Sequence, residues 1–154
     1  MIDLLELDAV AQAELIRCGE LHPRELVDAA IERIERLNPA LNAVVIPLFE
    51  QAVAAAASSH LPDGPFRGVP LLLKDLGACQ KGSPRYMGNR VLRDLDWRCQ
   101  ADTPLGARYR AAGFIVLGAT NTSEFGWQNT TQPLAFGPTR NPWDPRRSPS
   151  GPCP

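Results

Sequence analysis

With 154 residues, of which 44% are hydrophobic, 21% charged and 6% aromatic, the chain is the size of one domain or part of one. Sixteen basic residues against seventeen acidic ones leave a net charge of -1, which gives no electrostatic footprint for nucleic acid or an anionic membrane. No apolar run approaches the ~20 residues of a membrane helix, and the acidic start MIDLLELDAVAQAEL lacks the layout of a cleavable signal, so the expected compartment is the cytoplasm.

The pattern opens with a helix. Leu4, Leu5, Leu7, Val10, Ala11, Leu15 and Ile16 fall near one stripe, and Gly19 stops it. A second helix begins near Pro23, a residue suited to the first helical position. It carries Leu26, Val27, Ala30, Ile31, Ile34 and Leu37 on one face, and Asn38-Pro39 ends it. The β-branched run Asn42 to Ile46 reads as a strand, and alanine-rich Phe49 to Ser59 as a helix that permits close packing.

After the turn-rich connector Leu61 to Gly68, Val69 to Lys74 (VPLLLK) reads as a buried strand with a lysine at its end. The segment Asp75 to Gln100 has weak periodicity. Asp102-Thr103-Pro104 starts a helix that runs to about Ala112 and closes at Gly113. Phe114 to Leu117 is a further strand, Gly118 to Gly126 a turn with one helical turn at most, and the remainder loop. Seven of the 15 prolines fall between Pro133 and Pro154, and each removes a donor and fixes the backbone there. Alternating strands and helices argue an α/β fold with parallel neighbours, and three legible strands make its sheet incomplete.

Metal and disulfide chemistry are not expected. Cys18, Cys79, Cys99 and Cys153 lie far apart without a C-x-x-C pair, and with His22 and His60 they offer no zinc-ligand spacing. They are also too few for a small disulfide scaffold, so reduced thiols are expected.

Three groups could carry chemistry. Lys74 follows three leucines, so apolar neighbours can desolvate its ammonium and make it a base toward a hydroxyl. Alternatively it is a strand-end lysine that reaches water or pairs with Asp75. Thr120, Asn121, Thr122, Ser123 and Glu124 follow a buried strand, where open α/β sheets place ligands, yet such residues also serve as turn and capping groups. Arg140, Arg146 and Arg147 lie near Trp143 and form either a small binding patch or a solvated face paired with carboxylates.

Taken together, GVPLLLKD (Gly68 to Asp75), ADTPLGARYRAAGFIVLGATNTSEFG (Ala101 to Gly126) and FGPTRNPWDPRRSP (Phe136 to Pro149) resemble the amidase signature family. Glu25 to Val45 resembles that family's second helix and first strand, so the likeness runs from about residue 20 to residue 149 in the family's order. The resemblance implies the N-terminal part of an incomplete mixed β-sheet flanked by helices, with residues 1–149 as one portion of a single amidase domain. It also implies amide hydrolysis by a serine–cis-serine–lysine triad through an acyl-enzyme, with no metal or organic cofactor. Lys74 matches the catalytic lysine, the general base toward the middle serine.

The tail departs from the family. Relatives continue into a glycine- and serine-rich stretch, whereas this chain reads SPSGPCP. In register, Pro152 occupies the middle serine's place, the nucleophilic serine falls beyond Pro154, and neither Ser148 nor Ser150 fits either role. The expectation is therefore a truncated and catalytically inactive member of a lineage acting on small amides, with residues 150–154 as an atypical, frameshifted tail. The alternatives are a non-catalytic binding or scaffolding remnant and, ranked lower, an amidotransferase A-type subunit.

Overall fold

The computed structural model describes residues 4–149. The expectations for Ser150, Pro152 and the tail lie outside these residues.

Helix α1 (Ala9–Arg17) starts where the Asp8 carboxylate accepts the Ala11 N–H at 2.8 Å. It begins later than the apolar stripe suggested, with Asp8 as the observed N-cap. Helix α2 (Pro23–Leu41) has a reciprocal cap: His22 Nδ1 accepts from Arg24 N–H, and His22 N–H donates to Glu25 Oε2. Asn38-Pro39 does not end α2, which continues to Leu41 with Pro39 inside its last turn. Proline removes only one intrahelical bond there. The stop comes from Asn42, left-handed at φ 51°, while Asn38 Oδ1 accepts the Ala43 and Val44 N–H groups at 2.8 Å.

The remaining elements are β1 (Val44–Pro47), α3 (Phe49–Ala56), β2 (Pro70–Lys74), α4 (Arg90–Asp94), α5 (Pro104–Ala111), β3 (Ile115–Thr120) and a single 3₁₀ turn at Glu124–Gly126. Helix α5 starts as the sequence predicts, with Thr103 capping Gly106 N–H and Pro104 in the first position. Helix α4, inside the weakly periodic segment, is too short to declare a period.

The fold is α/β, and its sheet has the order β1-β3-β2 among the described residues. Strands β2 and β3 are parallel, with Lys74 opposite Thr120, as the alternation implied. Strand β1 instead runs antiparallel to β3, which makes the sheet mixed. The central strand passes β1 closely at Gly118, where a Cβ would lie 2.4 Å from Ile46 O, so only glycine fits. Helices α2 and α3 cover the sheet through a core of Val27, Ala30, Ala52, Ala56, Ile115 and Leu117. The near-complete burial of Ala52 and Ala56 gives the alanine run its role: small side chains bring α3 against β3. Among the described residues no helix is long and apolar enough to cross a membrane.

Candidate active site

Because β2 and β3 are parallel neighbours, they end together. Lys74 terminates β2 in register with Thr120, and Asn121 to Glu124 continue directly from β3. Two of the three groups singled out in the sequence therefore meet at one end of the sheet, where α/β folds commonly bind ligands. Lys74 is partly buried, whereas Asn121, Thr122 and Ser123 are buried.

Asp75 is 2% exposed, an unusual place for a carboxylate. Its N–H extends the strand pairing to Thr120 O at 3.0 Å. Its Oδ1 accepts Tyr86 N–H at 2.7 Å and its Oδ2 accepts Gly88 N–H at 3.0 Å. Burial raises its pKa above the ordinary carboxylate value, opposed by bonds from Gly88, Tyr86 and Met87 and by the charge of Arg85. The turn that wraps the carboxylate has left-handed Met87 and Gly88 at φ 51° and 67°. For Met87 that conformation costs about 1–2 kcal/mol. A Cβ at Gly88 would meet Thr122 O at 2.8 Å, Phe125 N–H donates to Met87 O at 2.8 Å, and Asn89 Nδ2 donates to Glu124 Oε1 at 2.6 Å.

The loop beyond Asp75 is closed by a disulfide between Cys79 and Cys99, which corrects the expectation of reduced, separate thiols. A separation of 20 residues carries no local spacing signal; the pair forms because the chain turns back on itself. Arg85 N–H to Trp97 O, Cys99 N–H to Ser83 O and Gly82 N–H to Cys99 O zip the two limbs together. Lys81 N–H reaches Asp102 Oδ1 at 2.6 Å, and Cys79 N–H reaches Thr103 Oγ1 at 3.0 Å, docking the loop on the start of α5. Tyr86 OH donates to Asp96 Oδ1 at 2.6 Å, and burial, followed by that bond, pushes the phenol up to about 12.

A second network places residues 131–140. Asn121 Nδ2 donates to Thr139 Oγ1 and Gly137 O, Thr139 OH donates to Asn42 O, and Asn42 Nδ2 donates to Phe136 O and Pro138 O. Asn121 thus serves as a structural anchor. Thr122 and Ser123 do not cap the following turn: their hydroxyls are buried without a partner among the described residues. Each such group carries a desolvation cost of about 1–3 kcal/mol. Of the three arginines near Trp143, Arg146 and Arg147 pair with Asp144 at 2.9 and 3.3 Å, which favours the solvated face over the binding patch.

Lys74, Asp75, Arg85, Cys79 and Gly118 line a cavity of about 20 Å³, room for about one water. A roomier cleft of about 430 Å³ adjoins it and shares Leu48, Ser83, Pro84 and Val116; others include one of about 430 Å³ between α1 and residues 63–67 and one of about 500 Å³ beside α2, Pro47 and Phe136. Among the described residues no group of three or more His, Cys, Asp or Glu is placed to hold a metal ion.

Comparison with known proteins agrees with this geometry. The family model described as Amidase matches residues 25–152. The 6-aminohexanoate-cyclic-dimer hydrolase of Paenarthrobacter ureafaciens is 47% identical over 150 residues, covering 97% of this chain and 30% of that protein. The A-type subunit of the glutamyl-tRNA(Gln) amidotransferase of Mycobacteroides abscessus is 38% identical over 158 residues, covering 98% and 31%. A solved 6-aminohexanoate cyclic dimer hydrolase complexed with substrate superposes with a TM-score of 0.89 at 46% identity, covering 98% of this chain and 30% of that one. The chain thus spans about 30% of the length of the relatives it matches. Match and geometry together place the chain in the amidase family, the amidase-signature proteins.

Proposed function

We propose that residues 1–149 form the N-terminal portion of a single amidase domain in which Lys74 is the general base of a serine–cis-serine–lysine triad. The observation that carries this reading is the position of Lys74 at the end of β2, opposite Thr120 and beside the polar turn that follows β3. In this mechanism Lys74 takes the proton of the middle serine, which takes that of the nucleophilic serine. The nucleophile's oxygen bonds the amide carbon, the C–N bond breaks as the proton is returned to the leaving nitrogen, and water frees the acid. Both serines belong to sequence outside residues 4–149, so this segment alone is expected to turn over no amide.

The proposed substrate class is a small carboxylic amide. The amidotransferase reading is the weaker one, since the relative of that name is 38% identical against 47% for the hydrolase.

A chimera tests the assignment. Residues 1–149 replace the corresponding segment of the Paenarthrobacter ureafaciens hydrolase, and hydrolysis of the 6-aminohexanoate cyclic dimer is followed. Turnover within about tenfold of the parent is expected. A folded chimera without turnover would count against the reading.

A further inference from the structure

We infer that Asp75 is a positioning residue for Lys74: its carboxylate clamps the Tyr86–Gly88 turn against both the end of β2 and the Thr122–Glu124 segment, and so fixes the surroundings of the lysine. This deepens the reading of Lys74 as the catalytic base and rests on it. Asp75 does not itself exchange a proton with substrate.

Four observations converge on this residue. Its backbone N–H continues the β2–β3 pairing one step past the Lys74–Thr120 pair, so Lys74 cannot shift without moving Asp75. Its two oxygens take N–H groups from residues 11 and 13 positions onward, and so tie the far limb of the loop back to the end of β2. Consecutive left-handed residues, Met87 and Gly88, turn their N–H groups inward, the concave arrangement that receives an anion. On its far side the turn touches the polar segment, through Phe125 N–H to Met87 O and the close approach of Gly88 to Thr122 O.

The chemistry of the clamp calls for a carboxylate. Both oxygens face N–H donors, and an anionic acceptor strengthens both bonds. Asparagine would present an NH₂ group to one of those donors and lose that bond. Glutamate keeps the charge but sets it one methylene further out.

The chain offers a direct readout, because Lys74 and Lys81 are its only lysines. Lys81 is exposed and serves as the internal reference for labelling by an amine-reactive acetylating reagent. In Asp75→Asn, Tyr86 and Gly88 amide exchange is expected to speed up about tenfold, and the Lys74-to-Lys81 labelling ratio to rise about as much. In the chimera, the same substitution is expected to lower kcat about a hundredfold with KM nearly constant and to displace the pH profile. Asp75→Glu should recover part of each effect.

If Asp75→Asn does not fold, Gly88→Ala makes the same test. It leaves the carboxylate in place but drives the turn off Thr122, and the labelling ratio should rise likewise. Faster exchange at Tyr86 and Gly88 with an unchanged labelling ratio would overturn the inference, since Asp75 would then hold the loop alone. An inactive chimera carrying the native Asp75 would instead tell against the function proposed for Lys74, while the labelling ratio still decides the role of Asp75.

Discussion

The layer built from α2, α3 and β3 and the loop from Asp75 to Asp102 flank the same strand, β2, yet different forces hold them. In the layer, Val27, Ala52 and Ile115 are almost wholly removed from water, and burial of a side chain as large as valine or isoleucine supplies about 1.5–3 kcal/mol. The loop buries few apolar groups: Val91 and Leu95 on α4 are exposed. It is fixed by a disulfide, a buried carboxylate and side chains bonded to the backbone. Apolar packing tolerates local change and sums over many contacts, whereas a polar clamp depends on single atoms. The candidate base sits at the junction, anchored by the first and surrounded by the second.

The largest way to break this contrast is in the layer. Ile115→Ala removes a side chain that is 2% exposed and should cost about 2–5 kcal/mol, seen as a lower urea midpoint for the whole chain. An unchanged midpoint would mean that the layer does not carry the fold.

Opening the loop comes next. Cys99→Ser removes the closure of a 20-residue separation and should cost about 2–4 kcal/mol by the loop-entropy argument. Faster amide exchange should be confined to residues 80–98, with β2–β3 amides retaining their protection. Loss of protection across the sheet would show that the two regions form one cooperative unit.

The smallest effect sharpens the comparison at Tyr86, whose phenol is pushed up to about 12, first by burial and then by its bond to Asp96. A tyrosine that ionises near 10 when unfolded and near 12 when folded favours the native state below pH 10, and that contribution disappears as the pH rises from 10 to 12. In a Tyr109→Phe background the 295 nm titration should therefore report Tyr86 near pH 12. Because burial is the larger cause, Asp96→Asn should recover only the lesser part of the shift.

The same division governs what could be read from the sequence. Pro23 and the Thr103-Pro104 pair are local signals with local causes, and each appears in the fold where it was expected, whereas the apolar stripe of α2 buries Leu26, Val27 and Ala30 but leaves Leu37 exposed. Lys74 and Thr120 to Glu124 were legible separately, and the parallel pairing of β2 with β3 makes them neighbours. Pro39 misled because a proline in the last turn removes one bond while Asn38 and Asn42 cap further on. The Cys79–Cys99 pair and the Asp75–Gly88 bond lie 20 and 13 residues apart in sequence and depend on the loop's return path, which no periodicity encodes. A buried aspartate after an apolar strand and a Met-Gly pair able to turn left-handed were the only traces of that clamp.

If Lys74 is the base of an amide hydrolase, the most direct measurement is kcat/KM of the chimera with and without Lys74→Ala. A fall of about a thousandfold at unchanged thermal stability is expected, the range for removal of a positioned proton acceptor. A folded Lys74→Ala chimera that hydrolyses the cyclic dimer within about threefold of its parent would contradict that role.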